Sequence, residues 1–359
     1  MGNILSELAD YARLRVASDK KRIPLKMLRE ETEKMISLGE AREAFIFENT
    51  LRQDGLSFIC EVKKASPSKG IIDEEFKYRD IAKTYEAAGA DCISCLTEPK
   101  WFLGSDEIFK DIRALVKTPV IRKDFTVDEY QIYQAKLMGA DAVLLICALL
   151  DERELKKYLR LCDELGLSAL TETHDEEELK LAVSCGARMI GVNNRNLKTF
   201  DVDIENSRRL KELAPDDVIF VSESGIRDAS DIPPLRSAGV DAVLIGEALM
   251  RAPDKAATLK AFRNAAAGHT GKKGGRTLIK CCGLRRAEDI AMVNDAGADF
   301  AGFIMSPGFW RYTEPERVAE LRKMLNFGIR AVGVFVNEPA EYVAEQINNK
   351  VIDIAQLHG

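Results

Sequence analysis

The sequence predicts an α/β protein: a (β/α)8 barrel with an extra N-terminal helix, followed by a partial second (β/α) barrel of four strands. Three observations predict it. A short word of the Gly-Ala-Asp type recurs at Gly89, Gly139, Gly186, Gly239 and Gly297, always after a helical pattern and before an apolar run; glycine in that place ends a helix, and a strand follows. The first four copies are spaced by about 50 residues, roughly two βα units of the size a parallel sheet needs. Across this region run eight short apolar segments rich in β-branched residues, each separated from the next by room for a helix or a substantial loop. Strands apolar on both faces suit a buried parallel sheet, and eight of them alternating with helices favour a closed TIM barrel over a doubly wound sheet.

Taken in order, Ile4, Leu8, Tyr11 and Leu14 mark the additional amphipathic helix. The eight strands are read at residues 56–62, 91–97, 119–122, 141–146, 168–172, 189–193, 218–222 and 241–245, which places the first domain at 1–265. From 266 to 276 the chain is small, basic and glycine-rich, as a linker is. The alternation restarts in a second domain, 277–359, with strands at 277–281, 300–305, 331–335 and 352–357.

Composition excludes several classes. With 46% hydrophobic and 31% charged residues, the chain is neither disordered nor fibrous. A net charge of -6 gives no broad basic field for a polyanion, so no nucleic-acid partner is expected. Glu7, Asp10, Arg13 and Arg15 interrupt any N-terminal apolar run, and the longest apolar stretch, 142–150, is about half of what a bilayer crossing needs. No membrane association is expected, and the cytoplasm is the expected location. The eight cysteines sit mostly inside strand or helix patterns, as reduced core thiols do. Cys92 and Cys95 form a lone C-x-x-C within a strand, with no second pair to make a metal site.

Reacting groups of a (β/α) barrel come from the C-terminal ends of its strands. Here those ends are polar. The first ends in Glu61-Val62-Lys63, and period-two geometry puts Glu61 and Lys63 on one face, where each tunes the other's protonation unless they form only a surface ion pair. After the third strand, Lys123 shares a face with Ile121; a lysine at a barrel mouth is a natural general acid for a carbonyl oxygen, and its alternative is a solvated loop charge. Glu172 follows small and apolar residues at the end of the fifth strand, where a carboxylate is unfavourable unless used or paired. Asn193 and Arg195 offer donors for hydroxyls and carboxylate. Glycines after strands seven and eight, Gly225 and Gly246, suit backbone N–H binding of phosphate, and Glu247 need lend only its amide.

The stretches Glu61-Val-Lys-Lys-Ala-Ser-Pro-Ser-Lys-Gly70, Ile121-Arg-Lys-Asp-Phe125, Leu170-Thr-Glu172, Gly191-Val-Asn-Asn-Arg-Asn-Leu197, Ser222-Glu-Ser-Gly-Ile226 and Ile245-Gly-Glu-Ala-Leu-Met250 together resemble indole-3-glycerol phosphate synthase over residues 1–260. The resemblance implies a carboxy-lyase of tryptophan biosynthesis, a phosphorylated small-molecule substrate, and no metal or organic cofactor. Residue by residue, Lys123 resembles the acid that protonates a ribulose carbonyl; Lys63, Glu61 and Glu172 resemble groups that stabilise intermediates and assist dehydration. Asn193, Arg195 and Ser224 match substrate-orienting positions, and Ser66, Gly225, Gly246 and Glu247 match a phosphate cradle. Phe125, Trp101 and Phe102 are candidates to pack on the substrate's ring, or for ordinary packing. Replacing Lys123 by alanine is expected to reduce turnover with little change in folding. Another phosphate-sugar barrel enzyme and a non-catalytic scaffold stay open as alternatives.

In the second domain, Lys280-Cys-Cys-Gly-Leu-Arg285, Gly297-Ala-Asp-Phe-Ala-Gly-Phe303, Val332-Gly-Val-Phe-Val-Asn337 and Ala355-Gln-Leu-His-Gly359 resemble phosphoribosylanthranilate isomerase. Cys282 matches the family's general base and Arg311 a substrate-binding arginine, although Phe309 and Trp310 depart from the usual pattern before it. The match covers four of eight strands, without the acidic partner that an Amadori rearrangement requires. No isomerase activity is expected of these residues alone; the chain reads as a C-terminally truncated fragment, or another polypeptide completes the half barrel.

Overall fold

The computed structural model describes residues 4–196, 199–267, 278–326 and 329–358. The chain divides into two compact units, Met1–Gly268 and His269–Gly359. In the first, the strands are β1 (Ser57–Val62), β2 (Ala65–Ser66), β3 (Gly70–Ile71), β4 (Cys92–Leu96), β5 (Val120–Lys123), β6 (Ala142–Ile146), β7 (Ser168–Thr173), β8 (Met189–Asn193), β9 (Ile219–Glu223) and β10 (Ala242–Ile245). β2 and β3 make a small antiparallel hairpin beyond β1. The other eight are parallel and close into a barrel, with β1 paired to both β4 and β10.

Alternation along the strands builds two concentric layers. Ile59, Ile121, Leu170, Val221 and Leu244 belong to one apolar cluster inside the barrel, whereas Phe58, Cys60, Ile93 and Phe220 belong to the cluster shared with the surrounding helices. Burying each such side chain stabilises the fold by about 1.5–3 kcal/mol. The recurring Gly-Ala-Asp word has a separate job for each end. Gly89, Gly139, Gly186, Gly239 and Gly297 all have positive φ, which ends a helix without a Cβ clash. Asp91, Asp141 and Asp241 then accept hydrogen bonds from the backbone N–H of Phe58, Val120 and Phe220, satisfying donors at the start of the neighbouring strand.

Several boundaries differ from expectation. Three helices precede the barrel, Ile4–Arg22, Leu25–Ser37 and Ile46–Leu51, where one was expected. In the first, Leu5, Leu8, Ala12 and Val16 are buried but Leu14 faces solvent, so the apolar stripe is rotated from the one read from the sequence. β5, β7 and β9 each run one residue further than expected, because their parallel ladders continue: Leu96 pairs with Lys123, Thr173 with Val192, and Asn193 with Glu223. Helix Lys255–Ala267 takes in Ala266 and Ala267, two residues past the expected domain boundary, since alanine favours helix. The rest of the expected linker lies outside the described residues, as do Leu197 and Gly359 of the quoted motifs and Thr277, where the first strand of the second domain was expected to begin.

The second unit holds β11 (Lys280–Cys282), β12 (Phe300–Ile304), β13 (Arg330–Val336) and β14 (Ile354–His358), parallel and in that order. Its core includes Ile290, Phe303, Val318, Leu321 and Phe335. Asp299 repeats the capping contact, accepting from the Ile279 N–H.

Candidate active site

A cavity of about 900 Å³ opens at the C-terminal ends of the barrel strands. Its floor follows from the alternation that builds the core. On β1, Ile59 faces inward and so does Glu61; on β5, Ile121 is followed by Lys123; on β7, Leu170 by Glu172; on β9, Val221 by Glu223. Apolar barrel packing thus gives way, one inward position later, to a ring of buried charges.

Lys123 is the centre of that ring. Its Nζ donates to Glu223 Oε2 at 2.5 Å and to Glu172 Oε2 at 3.3 Å. Glu172 Oε1 accepts from Asn193 Nδ2 at 3.2 Å and lies 3.4 Å from His174 Nε2. Lys63 pairs with Glu61 alongside. Two glycines make room for these groups. A Cβ on Gly191 would collide with the Glu223 carboxylate, and one on Gly246 would collide with Glu61 and press on Lys63.

Burial opposes charge on all of these side chains, and their partners decide which remain ionised. For Lys123 burial is overcome by Glu223, Glu172 and Glu61, which strengthen the ammonium form. Burial would raise Glu172, but Lys123, His174 and Asn193 hold it down to about 2. Burial pushes Glu223 up to about 7, with Glu172 and Glu61 adding repulsion that Lys123 does not cancel. Its Oε1 is buried without a hydrogen-bond partner among the described residues. Glu172 and Glu223 are therefore inequivalent despite sharing a lysine.

One wall is apolar. Phe102 and Phe125 pack with centroids 6.0 Å apart, beside Leu8 of the N-terminal helix. Phe102 is held by Glu98, whose buried carboxylate accepts from the backbone N–H groups of Lys100, Trp101 and Phe102. Trp101, also a candidate for the ring, instead meets Tyr11 edge-on at 5.7 Å. The opposite wall carries Ser66, Arg195, Ser224, Gly225, Gly246 and Glu247, with Arg227 and Arg251. Ser224 has a φ of 65, unusual for a side chain, and Gly225 follows at 94, so this turn is held in left-handed backbone. The Glu247 carboxylate faces Arg251 at 3.1 Å, Lys69 at 3.7 Å and Arg195 at 4.0 Å.

The eleven residues expected in the first domain all line this cavity. Glu223, His174 and Phe200 were not singled out. Alternation after Ile219 and Val221 points Glu223 inward, and that signal was available in the sequence. Among the described residues no cluster of histidine, cysteine and carboxylate side chains is arranged to hold a metal ion. In the second unit Cys282 is exposed at the end of β11, and Arg311 packs over the adjacent Gly283, where its Cδ would lie 2.7 Å from an added Cβ.

Residues 5–262 match the family model of indole-3-glycerol phosphate synthase, and residues 279–359 that of N-(5'phosphoribosyl)anthranilate (PRA) isomerase. The chain is 56% identical over 263 residues to the indole-3-glycerol phosphate synthase of Ruminiclostridium cellulolyticum, spanning 73% of this chain and 100% of the relative. With the synthase of Endomicrobium trichonymphae it shares 49% over 252 residues, 69% of this chain and 98% of the relative. It is 37% identical over 360 residues to the multifunctional tryptophan biosynthesis protein of Schizosaccharomyces pombe, covering 90% of this chain and 47% of that protein. The solved 3-hexulose-6-phosphate synthase from Salmonella typhimurium superposes with a TM-score of 0.50 at 14% identity, over 60% of this chain and 100% of that one, a likeness of fold alone. A closed barrel with charged strand ends, a family model matched over residues 5–262 and a synthase matched along its whole length at 56% identity lead to one conclusion: the chain belongs to the indole-3-glycerol phosphate synthase family.

Proposed function

We propose that the barrel closes the indole ring of 1-(2-carboxyphenylamino)-1-deoxyribulose 5-phosphate, releasing carbon dioxide and water to give indole-3-glycerol phosphate. The observation that carries this reading is the buried Lys123 ammonium between Glu172 and Glu223 at the cavity floor. Ring closure puts negative charge on the ribulose carbonyl oxygen, and a fixed ammonium in a dry site is suited to protonating it. Loss of carbon dioxide restores the ring electrons. Dehydration then needs an acid for the departing hydroxyl and a base for the proton left behind. Glu223, poised near neutrality, can carry a proton, while Glu172 and the Lys63–Glu61 pair balance the charge that develops.

Phe102 and Phe125 suit the anthranilate ring, and Asn193, Arg195 and Ser224 orient its carboxylate and the sugar hydroxyls. The phosphate would rest on Ser66 and on the amides of Gly225, Gly246 and Glu247. The test is to supply the purified chain with this substrate and follow indole absorbance. Turnover is expected, together with much weaker binding of the dephosphorylated substrate; no product, or equal binding of the two, would defeat the reading.

Two readings belong with it. The cytoplasm is the proposed location: the cysteines are free thiols, and among the described residues no helix is long and apolar enough to cross a membrane. In the second unit, Cys282 and Arg311 sit on an open sheet whose edge strands β11 and β14 could accept strands from another polypeptide. We assign these four strands no isomerase turnover by themselves, since acid and base must flank one sugar.

A further inference from the structure

We infer that His174 is a positioning residue that settles which carboxylate beside Lys123 holds the proton: bridging Glu178 and Glu172, it fixes the negative charge on Glu172 and leaves the exchangeable proton to Glu223. The inference rests on the proposed reaction for its consequence in turnover, but its geometry stands apart from it.

His174 follows β7 by one residue and is mostly buried. Its Nδ1 lies 3.0 Å from Glu178 Oε2, and the same oxygen accepts the His174 backbone N–H at 2.8 Å. Its Nε2 lies 3.4 Å from Glu172 Oε1, within ion-pair distance but without the geometry of a hydrogen bond. Both ring nitrogens thus face carboxylate oxygens. A neutral imidazole with its proton on Nδ1 would turn a lone pair towards Glu172, whereas the imidazolium sets a positive charge between the two carboxylates. Burial alone would lower its pKa, but Glu172 and Glu178 raise it to about 10.

Among the described residues, the surroundings of His174 supply no competing charge switch. Asp175 caps the following helix at the Glu178 N–H, and Asn206 donates to the His174 carbonyl from helix Glu205–Lys211. Cys147, from the turn after β6, is kept a neutral thiol by burial and by Glu178. On its far side, among the described residues, Glu172 meets Lys123 and Asn193, with Glu223 and Glu61 beyond the lysine. Among the described residues Glu172 therefore has two cations and an amide beside it, while Glu223 has Lys123 alone. Without His174 the two carboxylates become near equivalents about one lysine, and the proton divides between them.

The test uses the full chain and His174→Gln, with His174→Asn as a second variant should the first misfold. Carboxyl groups are titrated by carbon-13 NMR of glutamate-labelled protein, with Glu172→Gln and Glu223→Gln to assign the signals. Alongside, kcat and KM are measured from pH 5.5 to 9.5. Removal of His174 should raise the Glu172 titration and lower that of Glu223, each by about one pH unit. kcat at pH 7 should fall at least tenfold with KM within twofold, and the alkaline limb should move to lower pH. Unaltered carboxyl titrations, or a change in KM alone, would overturn the inference. If the unsubstituted chain gave no turnover, the proposed reaction would fail, and the carboxyl titrations, which need no substrate, would still decide the role of His174.

Discussion

Lys123 Nζ and Glu223 Oε2 meet at 2.5 Å, tying the end of β5 to the end of β9 beneath the cavity. Both side chains are buried, and Glu172 lies on the other side of the same ammonium. One lysine thus neutralises part of a pair of buried carboxylates, so removing it acts on folding as well as on chemistry.

Lys123→Ala should lower kcat/KM by about 1000-fold or more, the loss of roughly 4 kcal/mol of transition-state stabilisation. The sequence alone suggested little change in folding; the buried contacts argue otherwise, because unpaired charges in a core are unfavourable by about 3–5 kcal/mol. Glu223 can relieve this by protonation. The stability loss should therefore be larger at pH 8 than at pH 5.5, as urea unfolding at both pH values would measure.

Glu223→Gln should stabilise the protein while slowing it. The folded-state pKa of Glu223, about 7, exceeds its ordinary value of 4.5. A carboxyl raised in the folded state favours folding when protonated, so its ionisation weakens the fold as pH rises from 4.5 through 7 and the loss is complete above 7. A neutral isostere removes that loss. Thermal melts should show a gain on the order of 2 kcal/mol at pH 8.5, about 4–8 °C, and almost none at pH 4.5. Turnover at pH 7 should drop at least 100-fold if Glu223 carries the proton.

Gly246→Ala separates two explanations of a glycine that the sequence assigned to phosphate binding. The added Cβ would strike the Glu61 carboxylate and crowd Lys63. Displacing that pair should cut kcat by about 100-fold, because angstrom-scale misplacement of reacting groups has effects of that size. A purely phosphate-binding role would instead raise KM and leave kcat alone. Steady-state kinetics on the variant distinguishes the two.

What the sequence made legible, and what it hid, follows from the kind of interaction involved. Period-two alternation is local: it puts Glu61 with Lys63 and Lys123 with Ile121, while the small and apolar run before Glu172 marks that carboxylate as buried. The same alternation applied to Ile219 and Val221 places Glu223 inward too, but with the strand read as ending at 222 the residues after it point to Gly225 and phosphate. His174 was hidden for another reason. Its partners are Glu178 on the next helix and Glu172 on the far side of its own strand end, and the bridging contact depends on where that helix packs. The apolar stripe of the first helix was misread because Leu14 resembles a core residue by type, although the barrel mouth engages Leu5 and Leu8.

A chain ending at Ala267 should keep the turnover of the full protein. Every residue of the proposed site lies between Ile4 and Ala252, and the barrel is closed by β1 pairing with β10, so no strand from beyond that point is needed to complete it. The last helix of the unit, Lys255–Ala267, must be retained: Leu259 and Phe262 are fully buried, and Arg263 reaches back to the Gly89 carbonyl and Asp91 at 2.7 Å. Deleting it would remove two large buried side chains and uncover the apolar surface they pack on, about 1.5–3 kcal/mol for each, and would take Arg263 away from the Asp91 that caps β1. Expected, then, are unchanged kcat and KM for residues 1–267 and a sharp loss of folded protein for residues 1–254, measured by indole absorbance and circular dichroism. A 1–267 chain with tenfold lower kcat would show that the second unit contributes to the site, contrary to a barrel complete in itself.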